Sequence, residues 1–303
     1  MIRLHRIDHV CLRVADVEEA VSRWSVQFGL VDRGRHSGRA LLSCDDEPYA
    51  LELVEGTAGH DHTAFALARH CSIDEAEAHL AAAGVQVERR DGSLFASDPD
   101  GCGIELVPYR ETEPWVLHAR RSTTVRPGAP RKLGHVNCLT SRLQESVRFY
   151  TEALGMGVTD WLGDRGVWFH VNTDHHVMAL IDKGVSRFHH LAFDVVDIGQ
   201  MRDSLDHVAR HGRWLGWGPT RHGVGGNIAS YVRVVEEECF VELYCDMEQL
   251  QADHEPRVWP DDRYSSNTWG PLPPRSYFRF DAVAVEWEES SYEMLGRPLP
   301  DAP

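Results

Sequence analysis

The chain contains a diverged copy of its own beginning, and this duplication limits what it can fold into more than any other feature. Residues 7–30 (IDHVCLRVADVEEAVSRWSVQFGL) align without a gap on residues 133–156 (LGHVNCLTSRLQESVRFYTEALGM), at an offset of 126. His9 meets His135, Val10 meets Val136, Val21 meets Val147 and Gly29 meets Gly155. Both segments open as a short strand around the His-Val pair and then turn helical. Asp16 caps a helix striped by Val17, Ala20, Trp24 and Phe28; Thr140 or Ser141 caps one striped by Leu143, Val147, Tyr150 and Leu154. Gly155 stops the second helix.

Each copy continues into strand-like segments and a second strand–helix unit. These units open at His62-Thr-Ala-Phe-Ala-Leu67 and at His190-Leu-Ala-Phe-Asp-Val195, carry helices near 72–83 and 198–211, and close in strands bearing Glu105 and Glu242. The pattern predicts an α+β fold of paired βαβββ modules in two domains, which also suits a length of 303 residues. The expected boundaries are an N-terminal domain over 1–115 and a linker over 116–131, with Pro127, Gly128 and Pro130. A C-terminal domain follows over 132–250. A tail over 251–303, rich in Pro, Trp, Asp and Ser, is expected to cover the second domain or an oligomer neighbour.

Composition narrows the function. A formal charge of −16 argues against nucleic acid or an anionic membrane surface as partner. There is no run of eighteen apolar residues, so no membrane span is expected, and the opening MIRLHRIDHVCLRV is too charged for a signal peptide. Seven scattered cysteines form no CxxC pair, which fits reduced thiols in a cytoplasm. The acidic run Glu236-Glu237-Glu238 reads as a solvated turn. Eighteen histidines are the first sign of metal chemistry.

Three residues stand at corresponding places in the second copy: His135 on one opening strand, His190 on the next, and Glu242 on the closing strand. Two neutral imidazoles and one carboxylate on one side of a metal are the donor set of non-haem Fe(II) oxygenases. Such a set leaves positions open for two adjacent substrate oxygens and for O2. In a strand, residues two apart share a face, so Asn137 points to the side of His135.

Further motifs carry a resemblance. His135-Val-Asn137, Phe188-His-His190-Leu-Ala-Phe193, the segment Gly218-Pro-Thr-Arg-His222-Gly-Val-Gly-Gly-Asn-Ile-Ala-Ser-Tyr231 and Glu242-Leu-Tyr244 occur in this order. His176-Val-Met-Ala179 begins fourteen residues before His190, and Trp168 lies eight before His176. Together these resemble the type I extradiol ring-cleaving dioxygenases of the vicinal oxygen chelate superfamily, most closely the homoprotocatechuate 2,3-dioxygenase branch. The resemblance spans residues 1–295 or so. It implies an Fe(II) centre, with Mn(II) as the other ion this donor set accepts, a catecholic substrate, O2, and a homo-oligomer. It also implies that His135, His190 and Glu242 hold the metal and that His176 moves protons near dioxygen. His222 and Tyr231 would donate to the substrate oxygens, and Asn137, Trp168 and Trp217 would line the pocket. His175 and His189 fall on the opposite strand face and are expected to be structural. Asp194 is a candidate acceptor for a ligand imidazole.

The chain departs from the family pattern in two places. The usual Asp-Pro-x-Gly turn before the glutamate is missing, and the stretch from Tyr231 to Glu242 is one residue longer. An extra residue inside the strand would turn every later side chain over, so it is expected in the turn at Glu236–Glu238, leaving Glu242 inward. Arginines that would hold an acidic side arm are absent: Trp217 and Ser266 stand there. A neutral or aromatic substituent packing on Trp217 is therefore expected. His9, His62 and Glu105 are the first-copy counterparts of the triad and read as remnants of a vestigial, non-catalytic domain. Two other classes remain open: a glyoxalase-, epimerase- or thiol-transferase-like metal enzyme, and a non-catalytic small-molecule binding protein.

Overall fold

The computed structural model describes residues 2–44, 49–111 and 129–279, with Val283 and Glu286. The first module runs β1 (Leu4–Val14), α1 (Val17–Phe28), β2 (Val31–His36), β3 (Arg39–Ser43), β4 (Leu51–Glu55). The second runs β5 (Gly59–Leu67), α2 (Ile73–Ala82), β6 (Glu88–Arg90), β7 (Ser93–Ser97), β8 (Gly103–Val107). The third is β9 (Lys132–Thr140), α3 (Leu143–Arg148), β10 (Gly157–Leu162), β11 (Gly166–His170), β12 (Met178–Asp182). The fourth is β13 (Arg187–Asp194), α4 (Ile198–Arg210), β14 (Leu215–Arg221), β15 (Ile228–Val234), β16 (Cys239–Cys245), and β17 (Arg257–Trp259) follows. The α+β class and the four βαβββ modules are as the duplication requires. Most of the expected linker lies outside the described residues.

The strands form two sheets, ordered β2-β3-β4-β1-β5-β8-β7-β6 and β14-β15-β16-β13-β9-β12-β11-β10-β17. Read in opposite directions the two orders are the same, except that β17 adds an edge strand to the second. The registers repeat as well. His9 faces Ala64 and Ala64 faces Glu105; His135 faces Ala192 and Ala192 faces Glu242. The duplication is thus carried down to single cross-strand pairs, which place both sets of His, His and Glu on three adjacent strands.

Local signals fix the helices. The Asp16 carboxylate accepts the Glu19 N–H at 2.9 Å, and Gly29 ends α1 with φ of 67°, a left-handed turn that glycine adopts without strain. Ala20, Val21, Trp24 and Phe28 are the buried face of α1. In the third module the expected cap by Thr140 or Ser141 does not form: Arg142 is the N-cap of α3 and no side chain caps it, Thr140 Oγ1 accepts the Arg142 N–H at 2.9 Å, and the Ser141 N–H is taken at 3.1 Å by Asp100 of the first half. The Asp98-Pro99-Asp100-Gly101 turn therefore helps start a helix of the other half. Tyr150 Oη also donates to Asp98 at 3.0 Å. After Arg148 the helix widens into a π turn over Phe149–Ala153.

The acidic run 236–238 corrects an expectation. Glu236 is held by Arg213 at 2.9 Å, and Glu238 by Arg187 at 3.2 Å, but Glu237 is fully buried and pairs with Arg23 of α1. The segment is a clasp between the two halves, because α1 brings an arginine that only tertiary packing can supply. Among the described residues no helix is long and apolar enough to cross a membrane.

Candidate metal centre

His135 on β9, His190 on β13 and Glu242 on β16 are brought together by the middle of the second sheet. Glu242 Oε2 lies 3.0 Å from His135 Nε2 and 3.1 Å from His190 Nε2. The three donor atoms form a cluster able to hold a metal ion, and all three residues are buried. Neighbouring ligands at right angles around an ion with bonds of about 2.1 Å stand about 3.0 Å apart. The spacing therefore fits a divalent cation bound on one side, with the opposite side open. The longer turn at Val235–Glu237, with Glu238 left-handed at φ of 54°, takes up the extra residue before the strand and keeps Glu242 opposite Tyr231.

Burial opposes the charge on Glu242, yet the His135 and His190 imidazoles outweigh it and hold its carboxyl well below the usual range. Burial also keeps His190 low, favouring the neutral form that a ligand needs. Glu242 Oε1 accepts from Asn227 Nδ2 at 2.9 Å, which fixes the carboxylate plane. Asn227 was not singled out from sequence; its signal was its position inside the Gly-rich stretch between His222 and Tyr231.

His189 does face away from the site, but it is more than filler. Its Nε2 lies 2.6 Å from the Tyr277 carbonyl, which can only accept, so His189 Nε2 carries the proton. Its bare Nδ1 then accepts from His190 Nδ1 at 2.8 Å, leaving the His190 Nε2 lone pair free for a cation. The same logic runs through His175. His175 Nε2 donates to Asp160 Oδ2 at 3.0 Å, and its Nδ1 accepts from His176 Nδ1 at 3.0 Å. His176 is thereby held with Nε2 unprotonated. Burial is the main cause that keeps its pKa well below the ordinary value.

His222 is fixed in kind: Nδ1 donates to the Ser266 carbonyl at 2.7 Å, and Nε2 accepts the Tyr231 hydroxyl at 2.8 Å. In this state Tyr231 is the donor, and His222 becomes a donor at Nε2 only once protonated. Asp194 does not reach a ligand imidazole in this way; it pairs with Arg131, and burial raises its pKa to about 6. His135 is preceded by Gly134, where a Cβ would overlap the Tyr244 hydroxyl, so only glycine admits the Tyr244 ring beside His135.

These side chains line one cavity of about 160 Å³. Its walls bring together His135, Asn137, Trp168, His176, His190, Trp217, His222, Tyr231 and Glu242, so every site residue expected from sequence meets here. Trp217 lies flat against Tyr231, with centroids 5.1 Å apart at 11°, and donates Nε1–H to the Pro271 carbonyl at 2.7 Å. The tail closes one end: Pro273, Tyr277 and Phe278 line the cavity, and β17 pairs with β10. The described part of the tail thus lies on the second half of its own chain.

Residues 132–236 match the model of the Glyoxalase/Bleomycin resistance protein/Dioxygenase superfamily. Among its relatives, metapyrocatechase 2 of Cupriavidus necator is 26% identical over 91% of this chain and 92% of its own length. The fold is shared with solved structures. Homoprotocatechuate 2,3-dioxygenase of Arthrobacter globiformis superposes with a TM-score of 0.80, 22% identity, and 91% of each chain covered. The Mn(II)-bound glyoxalase of Novosphingobium aromaticivorans gives 0.78 and 24%, covering 91% of this chain and 94% of its own.

Proposed function

We propose that the chain is an extradiol dioxygenase, opening a catecholic ring with O2 at an Fe(II) centre held by His135, His190 and Glu242. The product class is a muconic semialdehyde. The observation that carries this reading is one cavity holding a one-sided His/His/Glu donor set together with a base whose lone pair is fixed, His176. When bound, the ion orients both diol oxygens and O2 and lends them its positive charge. Mn(II) fits the same donors.

The chain's own residues do the rest. His176 takes the catechol proton at Nε2, which the His175–Asp160 chain keeps bare, and later returns it. With substrate bound, the Tyr231 hydroxyl turns from His222 Nε2 to a substrate oxygen and steadies negative charge there; burial lowers the His222 pKa, so His222 adds a second donor only when it takes up a substrate proton. Asn137 and Trp168 shape the pocket beside His135 and Ala179. Tyr277 and Phe278 exclude water. The basic side chain on the cavity wall, Lys183, sits 4.2 Å from the Phe278 ring centroid, and Asp261 shares that wall. This balance, and the flat face of Trp217 at the position of a missing arginine, favour an alkyl- or aryl-substituted catechol over one with an acidic arm.

The seven free cysteines support a reducing cytoplasm as the location. Exposed Val258, Tyr264, Trp269 and Leu272 on the tail support a second copy of the chain as partner.

The test is anaerobic loading with Fe(II), then addition of a catechol panel and air, following O2 uptake and a yellow product. Uptake with 3-alkyl or 3-aryl catechols at higher kcat/KM than with homoprotocatechuate is expected. Metal bound without O2 uptake on any catechol would return the chain to a glyoxalase- or epimerase-like use of the same ion.

A further inference from the structure

The first half repeats the triad geometry, with one addition. Glu105 Oε2 lies 3.0 Å from His62 Nε2 and 3.2 Å from His9 Nε2. Glu52 Oε2 lies 3.3 Å from His9 Nε2 and 3.8 Å from His62 Nε2. All four residues are buried. At these distances hydrogen bonds would be expected, yet His9 Nε2, His62 Nε2 and Glu105 Oε2 have no hydrogen-bond partner.

The other edges of both imidazoles are anchored. His9 Nδ1 meets Asp8 at 2.9 Å, and His62 Nδ1 meets Asp61 at 2.8 Å. Each carboxylate is in turn neutralised, Asp8 by Arg6 at 2.8 Å and Asp61 by Arg13 at 2.6 Å. A carboxylate accepts from Nδ1–H and so directs the Nε2 lone pair inward, the arrangement that orients metal-bound histidines.

A residue difference at one shared register position separates this site from the other. Glu52 faces Cys11 across β1 and β4, as Ala179 faces Asn137 across β9 and β12. Cys11 and Asn137 are equivalent under the duplication, so Glu52 occupies the place of Ala179. A methyl group leaves the second-half site open; a carboxylate in the same place supplies a fourth donor. The four His–Glu spacings, 3.0 to 3.8 Å, bracket the ligand–ligand distance of about 3.3 Å around an ion with bonds of about 2.0 Å, and His9, Glu52 and His62 by themselves form a cluster able to hold a metal ion. Phe95 faces Glu105 where Tyr231 faces Glu242, and Tyr49 stands where His176 does, three residues before Glu52, so proton-moving partners are missing.

We propose that His9, Glu52, His62 and Glu105 form a second, closed divalent-metal site of the zinc type, structural rather than catalytic. Glu52 Oε1 is taken by Arg39 Nη1 at 3.0 Å, which leaves Glu52 Oε2 as the donor atom facing the two imidazoles. The site stands on its own geometry, whatever reaction the second half performs.

The test uses the full chain, stripped by chelator and dialysed against Zn2+, with bound metal measured by mass spectrometry. Wild type should hold two equivalents. The double variant His135→Asn with Glu242→Gln should hold one and still gain thermal stability from Zn2+. Glu52→Gln with Glu105→Gln should also hold one, at the other site, and keep its Fe(II)-dependent O2 uptake. Zero equivalents in the His135/Glu242 variant would overturn the proposal even if the Glu52/Glu105 variant failed to fold. Loss of O2 uptake in every form, with two equivalents bound, would sink the ring-cleavage reading and leave this site standing.

Discussion

His175 Nδ1 lies 3.0 Å from His176 Nδ1, and this contact decides which nitrogen of His176 faces the cavity bare. The residue before His176, on the opposite strand face, sets its tautomer. His189 does so for His190, and in the first half Asp8 and Asp61 do so for His9 and His62. Side-chain alternation makes the pairing possible: the preceding residue points away from the site but can bend its ring or carboxylate back to Nδ1.

His175→Phe should therefore lower kcat by about 10²-fold while leaving KM and iron content nearly unchanged, because the proton-transfer geometry is lost and the ligands are not. Steady-state O2 uptake alongside iron analysis checks this. A fall in iron content equal to the fall in kcat would mean that His175 only supports the metal.

Asn227→Ala should weaken metal binding by about 10- to 100-fold, since it frees Glu242 Oε1 and lets the carboxylate rotate. Competition with a chromophoric chelator measures it. An unchanged affinity would show that His135 and His190 alone fix the carboxylate.

Arg23→Met should cost about 3–5 kcal/mol of stability, because it leaves Glu237, fully buried, without its counter-charge. Urea unfolding gives the value. The companion change Glu237→Gln in the same chain should recover part of the loss.

Asp160 gives a pH dependence with a defined sign. Burial opposes its charge, but His175, Arg257 and Trp259 outweigh this and hold its carboxyl far below the usual range. Its folded pKa is below its unfolded value of about 3.9, so its stabilising contribution is complete above that value and is lost as pH falls toward the folded value. Melting temperature followed from neutral pH into the acid range should drop less steeply for Asp160→Asn than for wild type. Parallel acid limbs in the two proteins would place the acid sensitivity elsewhere.

The fold was largely legible in the sequence. Duplicated His-Val strands, capped amphipathic helices and acid-bearing closing strands gave four modules in the right order, because strand and helix periods are written locally along the chain. The paired modules picked out His135, His190 and Glu242, and the resemblance to the extradiol family added Asn137, Trp168, His176, Trp217, His222 and Tyr231, all of which line the cavity. It missed Asn227, the orienting work of His175 and His189, and the burial of Glu237, because each depends on a partner supplied by a distant segment: Glu242, Asp160 and Tyr277, and Arg23.

By itself, then, the sequence determined the repeat, the strand faces and the residue types available to each half. Tertiary structure alone decided which atoms meet. Sheet assembly brought Glu52 beside one His/His/Glu cluster and Ala179 to the matching place at the other, while contacts across the fold chose the protonated edges of His175, His189 and His222. Periodicity is a property of the backbone and can be read in one dimension. Convergence of lone pairs on a point depends on register between strands far apart in the chain, and that is fixed only when the sheets assemble.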